Sequence, residues 1–222
     1  MNMRFSSAIF DVDGTLLDSS AMWESLATRY LLQLGLSPEQ GLSDKLHSLT
    51  LEESVIYLRS EYSIPFSEQE IIRQLTRLTE RFYKLEVQPK AGAKRLLTAL
   101  KARSIRMYLS TAGNRQLATA ALSRLGLWDY FAGMVCCSEY GSKTSPEIFL
   151  AAAEMMFDEP QTTIVFENSL FAIQTAKQAG FITAAVHDIS EKSQDALKNT
   201  ADLYAQSLSD YPEMLFVSTQ KP

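Results

Sequence analysis

Two aspartates stand one residue apart in AIFDVDGTLLDSS, residues Ala8 to Ser20, directly after an apolar run. Carboxylates held that close repel one another unless a cation or a shared proton lies between them, and Mg²⁺ is the simplest cation for an all-oxygen site. Asp11 and Asp13 are therefore candidates for metal binding and for catalysis. Other polar signals follow apolar runs further along: Ser110-Thr111 after Ile105 to Leu109, Lys143 in the loop after Met134 to Cys137, and Glu167-Asn168 after Thr163 to Phe166. A lysine and a hydroxyl suit a phosphate, the first as a positive charge and the second as a donor. An aspartate can attack phosphorus once its repulsion from a phosphate dianion is cancelled, which Mg²⁺ and Lys143 would do.

These residues are far apart in the chain, so the fold must gather them. The runs named above, with Ala8 to Phe10 and Phe181 to Val186, have strand character. Helical spacing recurs between them at Ala93 to Ala102, Arg115 to Leu125, Pro146 to Met156 and Leu170 to Ala179. Strands alternating with single helices predict a parallel sheet covered on both faces, whose carboxyl edge is where ligands bind. From Ser19 to about Glu86 there is no strand pattern, only helical stretches at Ala21 to Leu34, Leu51 to Tyr62 and Ser67 to Leu85. Thr50 with Glu53, and Ser67 with Glu70, have capping-box spacing. The chain returns at Val87-Gln88-Pro89, where the proline can open the next helix. The expected fold is α/β: a Rossmann-like parallel-sheet core from residues 1–17 and 87–222, with an all-helical cap domain inserted at 18–86.

Composition narrows the function. At 222 residues and 46% hydrophobic content the chain can bury a sizeable core. A net charge of -5 gives no basis for binding a nucleic-acid backbone. Cys136 and Cys137 are adjacent and lack metal-ligand spacing, so they read as buried free thiols. With His47 and His187 the only histidines, neither a His-rich zinc site nor a Ser-His-Asp triad is supported. A calcium loop starting at Asp11 would need glycine and glutamate where Leu16 and Met22 stand. Trp23, Trp128 and Met155-Met156 read as packing residues. No signal peptide or membrane span is visible. The expectation is a cytoplasmic protein with a small-molecule substrate and no membrane, nucleic-acid or obligate protein partner.

DVDGT at Asp11 to Thr15, the strand ending in Ser110-Thr111, GSKTSPEIF at Gly141 to Phe149 and IVFENS at Ile164 to Ser169 occur in the order of four motifs of the haloacid dehalogenase-like superfamily. The helical insert resembles the cap of the subgroup containing β-phosphoglucomutase and many small-molecule phosphatases, including phosphoglycolate phosphatase-type enzymes. The resemblance implies that Asp11 is a nucleophile that forms an aspartyl-phosphate and binds Mg²⁺. It implies that Asp13 is the general acid and base, with its backbone carbonyl on the metal. Thr111 and the Ala112 N–H would bind phosphate, Lys143 would hold nucleophile and phosphate together, and Glu167 with Asn168 would complete the magnesium site.

The sequence departs from the family at Asn168, where an acid is usual. An amide oxygen can coordinate a hard cation but brings no charge, so weaker Mg²⁺ binding is expected. Thr144 stands where the family often has proline. Asp13 belongs with phosphoryl transfer rather than dehalogenation. Leu51 and Trp23 stand where β-phosphoglucomutase has an arginine and a histidine, which favours hydrolysis over mutase chemistry. The expected activity is Mg²⁺-dependent hydrolysis of a small phosphorylated metabolite; the alternatives are a sugar phosphomutase and a catalytically weakened phosphate-binding scaffold. Taken singly, Thr111 reads as a helix N-cap, Lys143 as a solvated loop lysine and Glu167 as an acid at a helix start.

Overall fold

In a computed structural model, which describes residues 5–46, 49 and 51–216, the five apolar runs become strands and a sixth, unread in the sequence, joins them. They are β1 (Ser7–Phe10), β2 (Arg106–Thr111), β3 (Met134–Cys136), β4 (Thr163–Glu167), β5 (Ile182–Val186) and β6 (Leu203–Ala205). The strand order is β3-β2-β1-β4-β5-β6, and every neighbouring pair is parallel. The chain leaves β1 toward β2 and β3, then returns to the other side of β1 for β4, β5 and β6. A reversal of this kind opens a crevice at the carboxyl ends of the strands flanking it.

Residues between β1 and β2 form a separate helical unit, Ser20–Glu86. It contains α1 (Ser20–Gln33), α2 (Leu42–Leu46), α3 (Leu51–Glu61) and α4 (Glu68–Arg81). Tyr30, Leu31, Val55, Leu58, Ile71 and Leu75 are among the buried side chains at its centre. Ser67 caps α4, its hydroxyl accepting the Glu70 N–H at 3.3 Å. The other capping residue read from the sequence, Thr50, lies outside the described residues, as does His47.

Covering the sheet are α5 (Ala93–Lys101), α6 (Arg115–Arg124), α7 (Cys137–Tyr140), α8 (Glu147–Met155), α9 (Leu170–Gln178), α10 (Gln194–Thr200) and α11 (Tyr211–Phe216). The strands they cover read as continuous apolar runs because both faces are buried; every residue of β1 and β4 is buried.

Several local expectations are corrected. The helix expected to run to Leu85 stops at Arg81 and widens into a π-helix at Phe82–Glu86, where Phe82 and Tyr83 are buried. Pro89 does not open a helix: it bridges Leu17, while Lys90 N–H donates to Leu16 O at 2.8 Å and Asp18 N–H to Gln88 O at 2.9 Å. Gly92 precedes α5 instead. Trp23 is half exposed, its indole N–H donating to the Tyr83 hydroxyl at 3.2 Å. Met155 is exposed and Met156 buried. Both cysteines are free; Cys136 is buried and Cys137 only half-buried. No helix among the described residues is long and apolar enough to cross a membrane.

Gly92 is demanded by space as well as by conformation. Its φ is +84°, and a Cβ there would lie 2.1 Å from the Ser209 backbone nitrogen. Gly92→Ala is expected to destabilise the fold by about 3 kcal/mol, from left-handed strain and overpacking together. The midpoint of urea unfolding checks this.

Candidate active site

At the centre of the sheet, β1 ends at Phe10, whose ring stacks on Phe166 of β4 with centroids 4.4 Å apart. The next amide, of Asp11, donates to Phe166 O at 3.0 Å. Pairing of Phe10 with Phe166 and with Leu109 therefore delivers Asp11, Glu167 and the Ser110-Thr111 end of β2 to one edge. Ser110, Thr111 and Glu167 still belong to their strands rather than following them.

Lys143, between α7 and α8, is only 5% exposed. Its ammonium donates to Asp11 Oδ1 and to Glu167 Oε1, the latter at 2.6 Å. The solvated-loop reading of this lysine is thus wrong. Glu167 is the helix-start acid it reads as when taken singly, and it also pairs with Lys143. While Oε1 takes Lys143, Oε2 accepts the N–H groups of Asn168 and Ser169 at 2.9 and 3.2 Å and the Ser169 hydroxyl at 3.0 Å.

Two carboxylates share one ammonium, so the buried cluster has one negative charge too many. Burial pushes the Asp11 carboxyl up to about 7, with Glu167 and Asp13 adding to the rise and Lys143 opposing it. For Lys143, burial works against the charged form, but attraction to Asp11 and Glu167 outweighs it and holds the ammonium above its usual range. Asp11 Oδ2 is buried without a hydrogen-bond partner. Orphaned buried carboxylate oxygens are costly, and a proton or a cation relieves them.

The remaining candidates cluster nearby. Asp13 Oδ1 accepts the Ser19 hydroxyl at 2.7 Å. A Cβ on Gly113 would meet Asp13 Oδ2 at 2.8 Å and Thr111 Oγ1 at 3.2 Å, which places that carboxylate beside the threonine. Thr111 is not the helix cap. Its hydroxyl accepts the Gly113 N–H at 2.9 Å, and Asn114 caps α6. Ala112 is exposed at this turn. Asn168 Oδ1 accepts the Thr15 hydroxyl at 3.2 Å, and its Nδ2 donates to Ser190 Oγ at 3.4 Å.

The donors available to a hard cation are thus oxygens: the unpartnered Asp11 Oδ2, the Asn168 amide oxygen, and the Glu167 carboxylate, which the cation would share with Lys143. No group of three or more His, Cys, Asp or Glu side chains suited to a metal occurs among the described residues. An all-oxygen set with one uncompensated negative charge and an orphaned oxygen fits Mg²⁺.

Gly113, Lys90, Asp188 and Ser190 also belong to this edge and escaped the sequence reading, as did the role of Thr15 as a partner of Asn168. An Asp-x-Ser turn one residue after the apolar run ending at Val186 was the available signal for Asp188 and Ser190.

Fold and site together define a phosphoryl-transfer type of α/β enzyme. The chain belongs to the haloacid dehalogenase-like hydrolases, whose family model matches residues 8–186. It is 26% identical to the phosphorylated carbohydrates phosphatase of Thermotoga maritima over 188 residues, 83% of this chain and 87% of that one. It is 27% identical to the β-phosphoglucomutase of Bacillus subtilis over 191 residues, 81% of this chain and 82% of the other. Its fold matches the crystal structure of CbbY from Rhodobacter sphaeroides in complex with phosphate, with a TM-score of 0.72, 20% identity and coverage of 93% and 96%.

Proposed function

We propose that the protein is a Mg²⁺-dependent phosphatase of a small phosphorylated metabolite, working through an aspartyl-phosphate on Asp11. The observation that carries this reading is the Lys143 ammonium buried between Asp11 and Glu167 while Asp11 Oδ2 has no partner. Lys143 lowers the repulsion between the carboxylate and an incoming phosphate, and fixes the Asp11 side chain for attack. Thr111 and the Ala112 N–H take the phosphate oxygens.

In the first step Asp11 bonds to phosphorus, the bond to the leaving oxygen breaks, and Asp13 gives that oxygen a proton. Ser19 donates to Asp13 Oδ1, and Asp13 Oδ2 lies on the side of Thr111. In the second step Asp13 takes a proton from water, which attacks phosphorus and releases inorganic phosphate and free Asp11. A Mg²⁺ held by Asp11, the Asp13 backbone carbonyl, Glu167 and Asn168 would neutralise charge on the transferring group.

A phosphorylated sugar is the favoured substrate class, as in the carbohydrate phosphatase relative. The test is inorganic phosphate release from a panel of phosphorylated metabolites across a Mg²⁺ titration. Release that depends on Mg²⁺ is the expected result; no release from any compound at high Mg²⁺ overturns the reading.

Asn168 sets the expected strength of the metal site. Asn168→Asp adds the missing charge and is expected to tighten Mg²⁺ about tenfold. Calorimetric titration of the two proteins at pH 8 checks this, and equal affinities would remove Asn168 from the metal site.

A further inference from the structure

An amide differs from a carboxylate in one respect that matters at Asn168: only one of its ends can face a cation. The other end carries two N–H donors and repels it. A carboxylate needs no help with orientation, whereas an asparagine in that place does.

The structure contains groups that supply the orientation. Lys90 spends all three ammonium donors at this edge, on Gly14 O at 2.8 Å, His187 O at 2.8 Å and Asp188 Oδ2 at 2.5 Å. Asp188, 2% exposed and paired with that ammonium, is an acceptor. The Ser190 hydroxyl therefore donates to Asp188 Oδ1, at 2.6 Å, and the Ser190 N–H reaches the same oxygen at 3.0 Å. With its proton committed, Ser190 Oγ can only accept from Asn168. That forces the Asn168 Nδ2 toward Ser190 and its Oδ1 toward Thr15, which lies on the loop carrying Asp11 and Asp13.

We propose that Lys90, Asp188 and Ser190 form a positioning relay that locks the side-chain amide of Asn168 with its oxygen toward the metal. The proposal rests on the Mg²⁺-dependent reading above. Lys90 acts at two points of the relay. It sets the polarity through Asp188, and by holding Gly14 O it fixes the aspartate loop against the end of β5. Orientation by such surrounding partners tunes metal affinity in general.

The relay makes a prediction that a merely structural role does not. Ser190→Ala leaves Asp188 its bonds from the Ser190 N–H and Lys90, so the protein should stay folded with its melting temperature lowered by about 4 °C at most, while Mg²⁺ binding weakens about tenfold in calorimetric titration. In an Asn168→Asp background, where either oxygen serves, the same Ser190→Ala change should alter Mg²⁺ affinity less than about twofold. Lys90→Met gives a second reading, weakening Mg²⁺ more in the asparagine protein than in the aspartate one. Equal effects of Ser190→Ala in both backgrounds, or none in either, overturn the relay while leaving the metal reading standing. Absence of Mg²⁺ binding to the unmodified protein overturns both.

Discussion

Asp11→Asn removes phosphate release, lowering it by at least about 10³-fold, yet it makes the metal-free fold more stable, by a smaller margin at pH 5 and by a larger one at pH 8. The loss follows from the nucleophile: an amide oxygen does not form the aspartyl-phosphate. The gain follows from the buried charge. In the native state burial raises the Asp11 carboxyl from the ordinary 3.8 to about 7, with Glu167 and Asp13 adding to the rise and Lys143 opposing it. Between these values the native protein holds a proton that the unfolded chain has released. Stability of the metal-free protein therefore falls as pH rises through that window and stays low above it. Asparagine carries no such proton, so the slope disappears in the variant. Phosphate release and melting curves at the two pH values check both halves; retention of a tenth of the activity would exclude Asp11 as nucleophile.

Lys143→Met has the opposite balance. It leaves Asp11 and Glu167 facing each other without the ammonium that both contact, and breaking a buried ion pair from one side costs about 3–5 kcal/mol. The cost is largest above pH 7, where Asp11 is charged beside Glu167. As pH falls Asp11 takes up a proton on folding, and the difference from the unmodified protein narrows. Phosphate release is lost at every pH, because protonation restores the fold without restoring the charge on the phosphate side. Urea unfolding at pH 5 and pH 8 with the metal removed measures the effect, and a pH-independent difference would mean that Lys143 acts by packing alone.

What the sequence made legible follows from how each signal is encoded. The residues gathered around Asp11 each end or follow a run of buried strand residues. Such runs are readable because both sheet faces are covered, and parallel pairing then carries their ends to one edge. The relay was not legible. Lys90 sits just before a helix, and its three bonds go to backbone and side-chain groups that only the register of β1, β4 and β5 brings within reach. The π-helix at Phe82–Glu86 was hidden for another reason: its apolar residues continue a helical pattern, and one wider turn does not alter composition. β6, with three residues, is too short to show a period. Asn168 was legible as a departure, but which way its amide points could only be read from its neighbours.

The two strands at the margins of the sheet have a consequence for the life of the protein in a crowded solution. β3 and β6 are the outermost strands and each is three residues long. A parallel sheet whose edges were as long as β2 would offer a row of open N–H and C=O groups to any extended segment nearby. Here an intruding strand would find room for a bond or two before the ladder ran out. The sheet is widest where its ligand-binding edge is built and shortest where another chain could join it, so its margins give little template for fibre growth.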